Sequence, residues 1–424
     1  MAKKRVIVIG GGAAGLMAAG QASLAGAEVL ILEKKPRPGL KLRITGKGRC
    51  NLTNTAEITD FIAHFNAGGK FLRSSFSRFF VDDLIAFFNR IGVATNIERG
   101  GRVFPEDNDA AKVVEALVKW AKGSRVKIQN YARVESLVIE GGSVTAVKMR
   151  PVSRTKKEPL QTIPVDAVII ATGGSSYPAT GSTGDGYALA KALGHDVIPA
   201  RPALVPIETK GDTAMRLQGL SLRNVSVRLL VDGKKKAEQF GEMIFTHFGL
   251  SGPIVLTLSG KTVDSLRAKS KVELAIDLKP ALDEAKLDQR LIRDIEQSGK
   301  KLLSSILKEL MPRKLIPVCA EQASIDPEKP ANQISAKERK RLVSWLKDFR
   351  FTANGYRPFE EAIITAGGVS TKQVNSKTME SKLVKGLYFA GEVIDIDADT
   401  GGFNLQAAFS TGYVAGLASA GKLV

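Results

Sequence analysis

The sequence predicts an α/β protein whose nucleotide-binding sheet is interrupted by an inserted middle. Three observations predict it. A strand runs straight into a glycine turn in VIVIGGGAAG, a second strand, VLILE, closes on an acid at residue 33, and glycine-rich strand-to-turn segments return near residues 364–405. Gly10, Gly12 and Gly15 hold the G-x-G-x-x-G spacing. The first permits a tight turn, the second admits a pyrophosphate to the backbone, and the third lets a helix pack closely on the strand. Phosphates would then sit at the positive end of the first helix. Glu33 is placed to accept hydrogen bonds from a ribose hydroxyl.

The elements follow in order. Residues 1–50 read as strand, helix, strand and a loop rich in Lys, Arg and Gly. Over 56–124, apolar residues recur at helical spacing in VDDLIAFFNRIGV and AAKVVEALVKWAKG. Between them GGRVFPEDNDAA reads as a loop whose Asn108 or Asp109 caps the next helix. Alternation and turns over 125–170 indicate a small antiparallel meander, followed by the buried parallel strand of VDAVIIATGG. After Pro199, Pro202 and Pro206 the pattern is strand-like to about residue 275, AEQFGEMIFTHFGLSGPIVLTLSG included. Residues 280–350 turn helical and densely charged, through SAKERKRLVSWLKDFRF. AIITAGGVS and GLYFAGEVID return to strand and turn, and FNLQAAFSTGYVAGLASAG closes as a helix. The expected layout is a nucleotide-binding domain of residues 1–195 and 355–424, a β-rich insert of 196–278 with about 345–354, and a helical domain of 279–344.

Net charge is the unusual number, +19 with a pI near 9.8. A balance that basic favours nucleic acid, an anionic membrane or another polyanion as partner. Cys50 and Cys319 stand far apart and give neither a disulfide framework nor a metal cluster. No apolar run approaches the roughly 20 residues of a membrane span, and the N-terminal apolar run is too short for a secretory signal. A cytoplasmic protein is expected.

The cofactor expected is FAD rather than a tightly held nicotinamide. Besides the first glycine turn there are ATGGSSYPATGSTGDGYALA after the strand at 167–170 and, late, GLYFAGEVIDIDADTGGFNLQAAFSTG. Extended FAD uses such an order: the first turn takes the pyrophosphate, and an acid after the late strand binds the ribityl chain. The helix starting near Gly402–Asn404 can aim its amides at the isoalloxazine O2, where negative charge develops on reduction. With a single G-x-G-x-x-G, NADH would bind transiently. The fold class is thus a Rossmann-like, glutathione-reductase-type FAD domain carrying a β-rich insert and a small helical domain.

These segments resemble the BaiN/RdsA family of FAD-dependent oxidoreductases, also described as YhiN-like or aminoacetone-oxidase-like. The resemblance runs end to end and is carried by ITGKGRCNLTN at 44–54, ATGGSSYPATGSTGDGY at 171–187, FTHFGLSGPIVL at 245–256, AGGVS at 366–370 and KTMESKLVKGLYFAGEVIDIDADTGGFNLQAAFSTGYVAG at 377–416. It implies a cradle in which Ala13, Ala14, Lys34, Arg43, Gly48, Arg49, Cys50 and Asn51 join the first turn. Val134, Ala171, Thr172, Gly173 and Gly174 would line its middle, with Gly391, Glu392, Asp395, Gly402, Phe403, Asn404 and Leu405 at the far end. Activities attached to the family differ: a bile-acid-pathway reductase, an amine or aminoketone oxidase, and reduction of a uridine in ribosomal RNA to dihydrouridine.

Reducing the uracil 5,6 double bond needs a hydride at C6, a proton at C5 and donors for the enolate at O4. Cys50, flanked by Lys47 and Arg49, is the candidate acid; His247, in glycine-flanked FTHFGLSG, is a second acid or oxyanion donor. His64 and His195 read as structural. Asn51 and Asn54 can read a carbonyl and an imide edge, although loop capping is commoner. Asp395, Asp397 and Asp399 read as ribityl contacts and solvated charge, not as a metal site. Three basic sets favour an RNA partner. They are Lys34, Lys35, Arg37, Lys41, Arg43, Lys47 and Arg49; Lys234–Lys236; and Lys337, Arg339, Lys340, Arg341, Lys347 and Arg350. The expectation is an FAD- and NADH-using reductase of a 23S rRNA uridine. A small-molecule amine oxidase or enoate reductase and a non-catalytic RNA-binding flavoprotein are the alternatives.

Overall fold

A computed structural model describes residues 3–153, 158–298 and 300–423. The chain forms two compact units, Met1–Pro202 with Phe359–Val424, and Ala203–Pro358.

The first unit is built on five parallel strands. In chain order they are β1 (Arg5–Ile9), β2 (Glu28–Leu32), β3 (Lys127–Gln129), β4 (Ala167–Ile170) and β5 (Leu387–Phe389), in the sheet order β5-β4-β1-β2-β3. The central strands are buried on both faces, which explains their unbroken Val and Ile. In-register pairs Val8↔Ile169 and Val8↔Ile31 fix β1 between its neighbours, so the turn after it opens at the carboxyl edge of the sheet. Helix α1 (Ala13–Leu24) leaves that turn, and the closing helix α2 (Phe403–Ser419) lies against it. Their contact is made by small residues. A Cβ on Gly412 would come within 2.5 Å of the Ala14 carbonyl oxygen, and one on Gly416 within 2.4 Å of that of Ala18.

The meander appears as Ala132–Glu140, Ser143–Pro151 and Gln161–Pro164, all antiparallel. One local expectation needs correction and another holds. GGRVFP is not loop: Arg102–Pro105 is a strand paired with Thr95–Glu98 and Thr53–Asn54, partners that a local pattern does not reveal. Asp109 is the cap of the helix Ala110–Gly123, accepting from the Ala111 amide at 2.8 Å.

In the second unit six strands close into a barrel, from Ile207–Thr209 to Phe349–Tyr356. GPIVLTLSG, read as strand, opens an α-helix, Pro253–Arg267, with Pro253 in its first turn. Proline suits that position because its missing N–H would find no helical partner there. An apolar run of this kind suits a buried strand or a buried helix equally. The helices Glu284–Ser298, Leu303–Leu310, Ile316–Ala323 and Ala336–Lys347 share one apolar core with the barrel, Leu274 and Phe349 packing in the same cluster as Leu287, Leu307 and Leu342. Arg350, expected on the last helix, lies on the barrel strand that follows it.

His195 is buried and uses both ring nitrogens: Nδ1 donates to the Ala190 carbonyl at 3.2 Å, and Nε2 accepts from the Ser381 hydroxyl at 2.8 Å. That arrangement requires the neutral ring, and burial pushes its pKa down from the ordinary 6.5. The unfolded chain therefore binds the extra proton first, and stability is lost as pH falls below the unfolded value. Thermal melts from pH 7.5 to 5 should show the wild type losing Tm more steeply than His195→Gln, and equal slopes would remove His195 from the acid response.

Candidate functional site

The glycine turn shows three different constraints at its three positions. Gly10 has φ +100°, and a Cβ there would meet the Ala171 carbonyl oxygen at 2.6 Å. Gly15 packs so closely that its Cβ would fall 2.0 Å from the Gly10 carbonyl oxygen. Gly12 has an extended backbone with φ −81°, and a Cβ there meets nothing within 4 Å. Two glycines therefore serve packing, and the third faces open space. No side chain caps the first turn of α1, so its leading amides are available to an anion in that space. A pyrophosphate fits this cradle.

Glu33 braces the turn from below. Its Oε2 accepts from the Gly11 amide and its Oε1 from the Lys35 amide, both at 2.8 Å. Burial pushes its pKa up, against the pull of those two amides. Each carboxylate oxygen keeps a lone pair for a ribose hydroxyl. Lys34 turns instead to Asp185, 2.6 Å away, and Arg133 approaches the same carboxylate at 3.6 Å, beside buried Val134. Burial works against the charged form of Asp185, yet Lys34 and its other partners hold its pKa down.

Glu392, just past β5, sits at the centre of a polar circuit that the sequence did not reveal. Lys41 Nζ lies 2.6 Å from Glu392 Oε2 and 2.6 Å from Ser176 Oγ. Glu392 Oε1 accepts from the Thr365 amide at 2.7 Å and from Ser176 Oγ at 3.1 Å. Gly174 makes room for it, since a Cβ there would lie 2.4 Å from Thr365 Oγ1. Ala171 is buried, Gly173 has φ +73°, and Thr172 and Gly391 complete the two strand ends. The signal available for Lys41 was charge alone, and its partners lie 135 and 351 residues away.

At the other end the structure brings the Cys50 loop to the start of α2. Asn54 Nδ2 donates to the Gly401 carbonyl at 3.2 Å, and a Cβ on Gly402 would meet the Thr53 carbonyl oxygen at 2.3 Å. Asn54 is thus a loop brace. Asn51 differs: its Oδ1 is buried without a partner among the described residues. Asn404 is turned back on the acidic loop, bonding the Ala398 amide at 3.0 Å and its carbonyl at 2.9 Å. Phe403 is buried, Leu405 is half-buried, and no side chain caps the first turn of α2.

His64, read as structural, stacks on Phe403 with ring centroids 4.1 Å apart, and its Nδ1 lies 3.1 Å from Asp399 Oδ2. The three acids have separate fates. Asp397 is not solvated: it is 2% exposed and accepts from Asn66 at 3.0 Å. Asp395 is half-buried, and burial pushes its carboxyl pKa up. Among the described residues no three His, Cys, Asp or Glu side chains converge as metal ligands.

Cys50 is fully buried, with φ +61°. Burial pushes its thiol up to about 12. The flanking cations do not counter this, because Arg49 is drawn to Glu98 and Asn108 and lies 4.1 Å over the Phe104 ring. Arg43 pairs with Glu115 at 3.2 Å, and Gly48 has φ +85° with nothing near its Cβ position. His247 belongs to the second unit, exposed, with its ring edge-on to Phe248. Arg357 lies over that Phe248 ring at 4.7 Å and pairs with Glu208 at 2.9 Å.

A family model described as the HI0933-like protein Rossmann domain matches residues 4–418. The 3-dehydro-bile acid delta(4,6)-reductase of Clostridium scindens is 33% identical over 98% of this chain and 99% of its own. The ribosomal RNA dihydrouridine synthase of Haemophilus influenzae is 34% identical, covering 97% of each chain. Among solved structures, the 3-ketosteroid delta1-dehydrogenase of Sterolibacterium denitrificans superposes with a TM-score of 0.53 over 99% of this chain and 100% of its own, at 14% identity. That likeness is one of fold.

The glycine constraints separate cofactor binding from stability. Gly12→Ala should leave the melting of the cofactor-free protein within about 0.5 kcal/mol of wild type while reducing FAD retention at least tenfold, read from flavin absorbance per protein. Gly15→Ala should destabilise by about 2 kcal/mol or more, because its neighbour is backbone. Full flavin content in Gly12→Ala would move the phosphates away from this turn.

Proposed function

The chain belongs to the HI0933-like family of FAD-dependent oxidoreductases, and from that premise we propose that it uses NADH to reduce a uridine of 23S rRNA to dihydrouridine. The observation that carries the choice of substrate is the net charge of +19. A small neutral or singly charged substrate gives no reason for such a field, whereas an RNA backbone does. The relative named as an rRNA dihydrouridine synthase supports the same reading.

Uracil presents a double bond conjugated to a carbonyl. When bound, FAD supplies the hydride for its far carbon. The protein must add a proton to the nearer carbon and stabilise charge on the carbonyl oxygen. Cys50 is the proposed proton donor. With its thiol pushed up to about 12 it keeps its proton at every working pH. Asn51 offers its unpartnered Oδ1 to an N–H of the ligand. His247, exposed on its turn, is the second candidate donor. A uridine in folded RNA must be turned out of its stack to reach such a site.

A second reading rests on the 33% identical relative named as a bile acid reductase: a small-molecule enone reductase. Both chemistries need the same hydride, proton and oxygen donor, so the cradle is neutral between them.

Nucleoside mass analysis of 23S rRNA from cells with and without the gene decides the substrate. Dihydrouridine should vanish with the gene and return on complementation. An unchanged level in a host that normally carries it would favour the enone reading. Cys50→Ala keeps the same Cβ and so the same backbone strain; it should retain FAD and lose roughly 10²-fold or more of RNA reduction. Wild-type turnover in that variant would take Cys50 out of the mechanism. An alkaline loss of activity between pH 6 and 9 that disappears in the variant would instead show the thiol ionising there, against the burial that pushes it up to about 12.

A further inference from the structure

We propose that one end of the barrel, formed by the turn at Asp232–Lys236 and the turn at Arg267–Lys271, is the surface that grips RNA phosphates; this rests on the RNA reading above. The sequence presents three basic sets as equals. The structure separates them by what their charges already touch.

On the helix Ala336–Lys347 and its continuation, Lys337 and Lys340 stand exposed, but the other four cations are engaged from within. Arg339 pairs with Asp288 at 2.6 Å, Lys347 with Asp277 at 2.5 Å, and Arg350 with Asp348 at 2.7 Å. Arg341 donates to the carbonyls of Ala323 and Ser324 at 2.7 and 2.6 Å. In the set around residues 34–49, Lys34, Lys41, Arg43 and Arg49 each face a carboxylate of Asp185, Glu392, Glu115 or Glu98, which leaves Lys35, Arg37 and Lys47 scattered between them. A cation held this way releases few counterions when a phosphate approaches.

The barrel end is different. The strands Ser221–Val231, Lys234–Phe245 and Val272–Asp277 are neighbours, so their turns come together. Two hydrogen bonds lock them: the Asp232 amide to the Lys271 carbonyl and the Lys271 amide to Asp232 Oδ1, both 2.9 Å. Lys234, Lys235, Lys236, Arg267, Lys269 and Lys271 are all exposed there. Lys235 is drawn to Glu238, and Lys271 to Glu273 at 3.3 Å. Lys234, Lys236, Arg267 and Lys269 have no carboxylate within ion-pair distance among the described residues. The locked turns hold these four charges on a fixed frame, which lowers the ordering cost of meeting a phosphate chain.

The test compares holoenzymes by fluorescence anisotropy with a labelled 23S rRNA transcript across 50–250 mM salt. Removing one cation that neutralises a phosphate lowers the slope of log K against log[salt] by about 0.7–0.9. The triple variant Lys234→Gln/Lys236→Gln/Lys269→Gln should lower the slope by about two units and weaken binding at least tenfold at low salt, with flavin content and Tm unchanged. A control variant at cations that already face carboxylates, Arg339→Gln/Arg350→Gln, should change the slope by less than one unit. Wild-type protein that fails to bind RNA would end the RNA reading and this proposal with it. Wild-type binding with an unaltered slope in the triple variant would overturn the proposal alone. Loss of binding to phosphatidylglycerol vesicles with RNA binding intact would reassign the surface to a membrane and overturn it equally.

Discussion

The contact between the first and last helices is the constraint on which the candidate site depends. Gly412 and Gly416 let α2 approach the carbonyls of Ala14 and Ala18 far more closely than any side chain would allow. Close approach of this kind is driven by packing rather than by polar attraction, and a single added methyl disturbs it. Its effect is positional. With α2 held against α1, the uncapped amides at Gly402 and those at Gly12 belong to one rigid body. The acidic loop before α2 then meets the strand Phe65–Ala67, and the Cys50 loop meets Gly401 and Gly402.

Charge in this protein has two physical meanings. Inside the nucleotide-binding unit, Lys41, Arg49 and Lys34 tie together segments that are distant in sequence, each satisfying a half-buried carboxylate that would otherwise be costly to desolvate. On the barrel, cations stand in solvent, where an isolated ion pair contributes little to stability. In the net charge of +19 each cation–carboxylate pair cancels, so the excess is carried by cations without a carboxylate partner. The surface field seen by a partner depends on the second kind only.

That distinction marks the limit of what could be read from the sequence. The glycine turn, Glu33 and the late glycine pair were legible because their geometry is set within a few residues and only glycine meets it. The cap at Asp109 was legible for the same reason. The Lys41–Ser176–Glu392 circuit was not, since it closes across three segments with no local pattern. Asp397 and Asp399 read alike in a row of alternating acids, yet one is buried against Asn66 and the other meets His64. The helix at Pro253–Arg267 was mistaken for strand because its first two turns, PIVLTLSG, form an apolar run without a charge; its polar face shows only from Lys261 onward, and the proline at its start carried the early distinction.

The split between the units also orders events during synthesis. Ala203–Pro358 is contiguous and can collapse as soon as it leaves the ribosome. The nucleotide-binding unit cannot finish, because α1, although it meets β2 and the helix Ala110–Gly123 early, lacks α2 until some 380 residues later. At about 5–20 residues per second that interval is roughly 20 seconds or more. Through it, the face of α1 that α2 covers and one edge of the sheet stay open. Nascent chains are then most vulnerable at their oldest residues, and cofactor capture becomes an event that follows chain release.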